Sequence, residues 1–299
     1  MTLPPVPETF HWTHESWGAA LRCRPLGVLA THLFTTRQLR LPEQGAWGIL
    51  AAAMGADSVR RVTQVHGNRV VVHRSAARTS PSLGEARGDA EPVEGAGPLD
   101  DVRPDADAIV SDDPAVAIAV VAADCVPLLI ADRRTGAVGA VHAGWRGTVA
   151  RVTPATVEAL AREFGSRPEE LVVAIGPNIG GCCYEVGSEL VDAFATAGHA
   201  RHLIDRWFLA TPPSRGSLRA RDRGTLRLDV AGANRDQLIL AGVPETQIHA
   251  AGLCTATNLD LLTSYRAERE RAMRIAGVIR ARVGPTSASG MLHTREPAS

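Results

Sequence analysis

Residues Ala119–Gly147 read AVVAADCVPLLIADRRTGAVGAVHAGWRG, and the fold turns on them. An apolar, β-branched run leads into Asp124-Cys125 and stops at Pro127. A second run, Ala137–His142, leads into Gly144-Trp145-Arg146-Gly147. Both runs have strand character, and each ends on a reactive side chain followed by a turn-former. Groups so placed are held by a rigid scaffold yet face the surface, the placement that active sites favour. If the two strands pair, Cys125 and His142 meet at one sheet edge.

Further strands are expected at Arg69–Val72, Ala106–Val110, Ala115–Ala122, Leu128–Ala131, Leu171–Ile175, Gln247–Ala251 and Met273–Ile279, and helices at Thr148–Phe164, Ser188–Thr196 and Val230–Leu240. Thr148 suits the first helix as N-cap and Gly165 as its stop. Strands outnumber helices without alternating strictly with them. The pattern predicts an α+β fold, mixed β-sheets with flanking helices, in a single domain spanning 1–299. Residues 74–105 and 211–224, rich in Gly, Pro and charge without periodicity, read as flexible loops, and 284–299 as a loose tail.

Composition narrows the function. Arg balances acidic residues at 32 each, so no one-signed surface points to nucleic acid or a membrane. No lysine occurs anywhere. That excludes a lysine Schiff base, a lysine general base and a Walker-type phosphate loop. Residues 1–10 carry three prolines and no basic or apolar signal region, no run approaches a membrane span, and five cysteines make an odd set with one adjacent pair. A cytoplasmic protein without disulfides is expected.

His66, in Thr63-Gln64-Val65-His66-Gly67-Asn68, stands at a third strand–turn junction. His66, Cys125 and His142 together would make an open three-ligand zinc site. Taken singly, a Cys is as readily inert core and a His a structural hydrogen-bonder, and no CxxC or HExxH spacing is present. Arg146 offers a guanidinium fork for phosphate, or a surface ion pair. Asp124 either orients a histidine or caps a turn. Gly176–Gly181 is an anion-binding backbone or a tight turn. Trp145 either stacks on a purine or packs. Cys182 and Cys183, being adjacent, are expected to point apart and to be structural.

The segments TQVHG, DADAIVSDDPAVAIAVVAADCVPLLIAD, AVHAGWRGT, AIGPNIGGCCYEVG, LDVAGANRDQL and CTATNLDLLTSYR resemble, in order, the hallmark segments of one family, over a core of about 62–279. It is the YfiH-type family, formerly named polyphenol oxidase or laccase-like and now purine nucleoside phosphorylase. The resemblance implies that His66, Cys125 and His142 are both the metal ligands and the catalytic residues. It implies zinc as cofactor. On their positions beside these three, Arg146, Asp124 and Asn68 are expected on the substrate side. The implied chemistry is phosphorolysis of adenosine, inosine or methylthioadenosine, with adenosine deamination at the purine six-position. Purine nucleosides and phosphate are then the partners. Two family segments, Gly-Gly-Val-Ser and Asn-Leu-Gly, are missing after Arg37, and Ser264-Tyr265-Arg266 lacks the usual second arginine and the following Thr-Gly-Arg.

Three rivals stand beside this reading. A copper-dependent phenol oxidase shares the two-His, one-Cys donor set, although the His-x-His pairs of a multicopper cluster are missing. A metal-free amidohydrolase would use Cys125 as nucleophile and His142 as base. A catalytically degenerate binding protein is the third.

Overall fold

The computed structural model describes residues 3–75, 103–210 and 226–282. The expected loop 211–224 and tail 284–299 lie outside the described residues, as does all but the two ends of the loop 74–105.

In chain order the elements are β1 (Phe10–Glu15), β2 (Gly18–Cys23), α1 (Arg24–Leu29), β3 (Ala30–Thr35), α2 (Ala46–Met54), β4 (Ser58–Arg60), β5 (Val70–His73), β6 (Ala108–Ser111), β7 (Val116–Ala122), β8 (Val126–Asp132) and β9 (Val138–Ala143). There follow α3 (Trp145–Val149), α4 (Val152–Phe164), β10 (Leu171–Ile175), β11 (Glu185–Val186), α5 (Ser188–Thr196), α6 (Arg201–Trp207), β12 (Phe208–Ala210), β13 (Leu226–Leu228), α7 (Val230–Leu240), β14 (Ile248–Ala250), α8 (Tyr265–Glu268) and β15 (Ile275–Ala281).

Two six-stranded sheets carry the fold, in the orders β1-β2-β3-β15-β7-β4 and β14-β10-β8-β9-β6-β5, with a small sheet β11-β13-β12. Both large sheets are mixed: β4–β7, β5–β6 and β10–β14 pair in parallel, the rest antiparallel. The sequence of β8, VPLLIAD, explains the layering, because every residue in it is buried. Leu129 and Ala131 face the first sheet, packing with Ile118, Val120 and Ile275. Val126, Leu128 and Ile130 face the helices, packing with Leu160 of α4 and Leu238 of α7. A strand covered on both sides reads as an unbroken apolar run rather than an alternation. On the outer face of the first sheet, Leu50 and Met54 of α2 cover Ala117, Ala119 and Val278. The result is a four-layer α/β/β/α body.

Each expected strand is present within two residues of its expected ends, and the mixed α+β class holds. Two local expectations are corrected. Pro127 does not end a strand: it lies inside β8, opposite His142. It is tolerated because β10 stops pairing at Leu128, and only its carbonyl is used, accepting from the Gly176 N–H at 2.8 Å. Thr148 is not an N-cap: α3 and α4 are separate helices, broken at Arg151, whose φ is 61°. Thr148 is buried within α3 and its hydroxyl donates to the Gly144 carbonyl at 2.9 Å. The strands β1–β3 and the helix α2 were not expected, and the first sheet is half built from them. Gly165, in left-handed conformation, ends α4 as expected.

Candidate metal centre

β8 and β9 pair antiparallel with Val126 opposite Ala143, which brings the end of β9 beside the turn that holds Cys125. β6 lies on the other side of β9, with Ala108 opposite Val141. Continuing that register one step sets Asp107 against His142 on the face between the two sheets. Asp107 Oδ1 accepts from His142 Nδ1 at 2.8 Å, and neither side chain has appreciable contact with solvent.

The same carboxylate builds the third corner. Asp107 Oδ1 accepts from the His66 backbone N–H at 2.9 Å, and Oδ2 from those of Gly67 at 2.6 Å and Val65 at 3.3 Å. Three successive N–H groups thus curl around one anion, which requires a left-handed residue, and His66 takes φ 63°. Gln64 secures the other side of this loop. Its side-chain amide exchanges two 2.7 Å hydrogen bonds with the backbone of Val121, continuing the ladder of β7 past the end of β4.

The turn before Cys125 is held by Asp124, at φ 89°. Its Oδ1 accepts from Thr255 Oγ1 and its Oδ2 from the Arg266 N–H, both at 2.6 Å, and its carbonyl accepts from the Ile179 N–H at 2.9 Å. Of the two roles weighed for Asp124, the hydrogen bonds are those of the turn. Both carboxylate oxygens are taken by protein donors.

These constraints converge. The ligand atoms of His66, Cys125 and His142 all lie within 4.8 Å of one another. Cys125 Sγ is 3.9 Å from His66 Nε2, and the two imidazoles meet edge to face at 4.9 Å between centroids. His142 is buried, Cys125 partly buried and His66 exposed, so the trio is open on one side. Gly144 makes the approach possible. A Cβ there would stand 2.8 Å from Cys125 Sγ and 3.0 Å from His66 Cδ2.

Electrostatics agrees with geometry. Burial alone would raise the Cys125 thiol, but the hydrogen bonds and charges of His142 and His66 outweigh it and bring it down to about 6. Burial would lower His142, but Asp107 and Cys125 outweigh that and lift it to about 9. Burial likewise opposes ionisation of Asp107, yet His142 and the loop N–H groups hold it below the usual carboxylate range. Two imidazoles and one thiolate, with a carboxylate fixing one imidazole's tautomer, suit a borderline-soft divalent ion with one position open.

Around the opening stand residues the sequence reading placed less well. Arg146 is exposed, its guanidinium 4.3 Å over the Trp145 ring, while Trp145 packs partly buried against the helical core. Tyr184 and Arg266 were not singled out. Burial pushes the Tyr184 phenol up to about 12, and it also feels Cys125, Arg266, Asp124 and Arg146. Arg266 lies 5.1 Å over its ring. Asn68 is exposed beside His66 and donates to the Ala150 carbonyl at 2.8 Å. The backbone of Gly176–Gly181 is used internally, as a tight connection. Asp107 was missed because an aspartate just before a strand looks like a turn residue. The only available signal was its place in the DADAIV segment.

The fold and the trio define a class: two packed mixed sheets whose strand ends bring together a His/Cys/His set that could hold a metal ion. The family model described as multi-copper polyphenol oxidoreductase laccase matches residues 45–282. The chain therefore belongs to that family, the YfiH type. It is 37% identical over 232 residues to a purine nucleoside phosphorylase of Deinococcus radiodurans, covering 77% of this chain and 74% of that one. It is 36% identical over 149 residues to an adenosine deaminase from an unknown prokaryotic organism, covering 50% of this chain and 52% of that one. The crystal structure of the Bacillus licheniformis hypothetical protein YfiH superposes with a TM-score of 0.71 at 25% identity, covering 91% of this chain and 99% of that one. Among the described residues, no helix is long and apolar enough to cross a membrane.

Proposed function

We propose that the chain is a zinc-dependent purine nucleoside phosphorylase, acting on adenosine, inosine or methylthioadenosine with phosphate, and that it also deaminates adenosine. The observation that carries the reading is the convergence of His66, Cys125 and His142 around Gly144. The names of the relatives give the substrate class.

The three side chains would hold the ion, with Asp107 keeping the His142 Nδ1 proton in place so that Nε2 is free to bind. When bound, zinc supplies Lewis-acid polarisation at the open position. In phosphorolysis a phosphate oxygen attacks the anomeric carbon while the bond to the purine nitrogen breaks, and the bonding pair leaves with the base. Arg146 and Arg266 set positive charge on the open side, where the phosphate must be held. Tyr184, kept protonated by burial, can donate a hydrogen bond there. Asp124 acts on the site by fixing the Cys125 turn, and Asn68 by fixing the loop behind His66.

Zinc-loaded protein given inosine and phosphate should release hypoxanthine and ribose-1-phosphate, and adenosine alone should yield some inosine. Cys125→Ala should lose one equivalent of zinc and both activities. Arg146→Ala should depress phosphorolysis roughly 30- to 1000-fold, about 2–4 kcal/mol of transition-state stabilisation, and deamination far less. Equal loss of both would reassign Arg146 to structure. No turnover of any purine nucleoside by the zinc-loaded chain would sink the reading. A second reading, copper-dependent phenol oxidation, is supported by the family model's description and by the donor set. It requires oxygen uptake with a phenol by the copper-loaded chain. Against it, among the described residues only one candidate metal cluster contains histidine.

A further inference from the structure

The connection after β10 and the connection after β14 run side by side. Asn178 bridges Cys254 in parallel, its N–H donating to the Leu253 carbonyl at 3.2 Å and its carbonyl accepting from the Thr255 N–H at 2.9 Å. Beyond Asn178 the chain turns back on itself, with the N–H groups of Cys183 and Tyr184 both donating to the Gly180 carbonyl, at 2.9 and 3.0 Å. Adjacent side chains point apart in extended backbone, but not in such a turn. Cys182 Sγ and Cys183 Sγ stand 3.4 Å apart, and the sulfur atoms of Cys182, Cys183 and Cys254 all lie within 4.8 Å of one another. The expectation that the adjacent cysteines diverge is thereby corrected.

We infer that Cys182, Cys183 and Cys254 form a second metal-binding site, separate from the His66/Cys125/His142 centre, for a single thiophilic d10 ion such as Zn(II) or Cu(I). The donor set is all sulfur, the class of ligand that selects soft ions over Mg(II) or Ca(II). Backbone donors converge on the innermost of the three sulfurs. The Cys254 sulfur accepts the Gly180 N–H at 3.3 Å, and the Ala256 and Thr257 backbone also hydrogen-bonds to it. Gly180 has no side chain to fill the space, where a Cβ would come 3.2 Å from Cys182 Sγ. Access is graded, from buried Cys254 to partly buried Cys183 to exposed Cys182. An ion there would tie the two connections together one residue from Thr255, whose hydroxyl holds Asp124 next to Cys125. Binding displaces the thiol protons to solvent and changes no oxidation state.

The test uses the full chain, metal-free and reduced, titrated with Cd(II) while the ultraviolet thiolate-to-cadmium band is followed. Saturation is expected at about two equivalents. Cys182→Ser/Cys183→Ser should saturate at about one, with roughly a quarter of the band, because one of the four thiolates in the two clusters belongs to the other centre. Cys125→Ala should also saturate at about one, keeping roughly three quarters of the band. A second arm needs no variant: saturating Cd(II) or Zn(II) should protect Cys182 and Cys183 of the wild-type chain from alkylation. Saturation of the wild-type chain at one equivalent would overturn the proposal. Equal alkylation of Cys182 with and without metal would do the same.

Discussion

Two histidines lie on strands of the two large sheets, each almost wholly enclosed, yet one is neutral and the other positively charged. His32, on β3, is 1% exposed, and His142, on β9, is 3% exposed. His32 Nε2 accepts the Cys23 N–H at 2.8 Å, and its Nδ1 faces only the Ala30 carbonyl, at 3.3 Å. Burial dominates, and the nearby arginines add to it, so His32 falls to about 4 and stays neutral. His142 meets the same desolvation, but Asp107 on one side and Cys125 on the other lift it to about 9. The difference between a core residue and a reactive one is therefore not burial. It is whether the neighbouring strand supplies an anion.

The largest effect should come from deleting that anion. Asp107→Ala leaves His142 and the N–H groups of Val65, His66 and Gly67 without their acceptor, and should cost about 3–5 kcal/mol. Urea unfolding measures it, and a cost below about 1 kcal/mol would mean that Asp107 does not organise the centre.

The next effect belongs to His32. Its folded value lies below the unfolded one, so folding releases a proton and stability rises with pH. The contribution is complete above pH 6.5 and is lost as pH falls to about 4, in all about 3 kcal/mol. Replacing His32 with Gln should flatten that part of the pH–stability curve. In the metal-free chain His142 has the opposite sign, and the coupled imidazolium–thiolate pair exists between about 6 and 9. The alkylation rate of Cys125 should accordingly rise with a midpoint near 6; a midpoint above 8 would refute the pair.

Asp107→Asn is milder. It keeps the volume and one acceptor but loses the charge and the fixed tautomer, and should weaken metal binding at the His/Cys/His centre 10- to 100-fold, by metal competition. The smallest effect is a count. At pH 7.5 Cys125 is already a thiolate, while His142 must give up its proton to bind, so zinc should release about one proton per chain there. Cys182→Ser/Cys183→Ser protein in weak buffer isolates that centre, and zero release would remove the charged state of His142.

The three metal-ligand candidates were legible in the sequence because each stands where an apolar run meets a glycine or proline. The strands β7 to β10 were legible because burial on both faces leaves runs that are apolar except for Asp132 and His142. β1 and β2 were not legible. FHWTHE and GAALRC mix polar and apolar residues without clean alternation, since β1 is an edge strand and half-exposed.

The sequence by itself determined the inventory: no lysine, a His/Cys/His set at strand ends, and enough buried strand to make mixed sheets. Only the tertiary structure decided what those groups become. Asp107 and His142 are 35 residues apart and meet through strand register. Cys254 reaches Cys182 and Cys183 through the parallel pairing of β10 with β14. Ionisation follows from such meetings, because a charge inside a protein is set by what lies within a few ångströms of it and not by its neighbours along the chain.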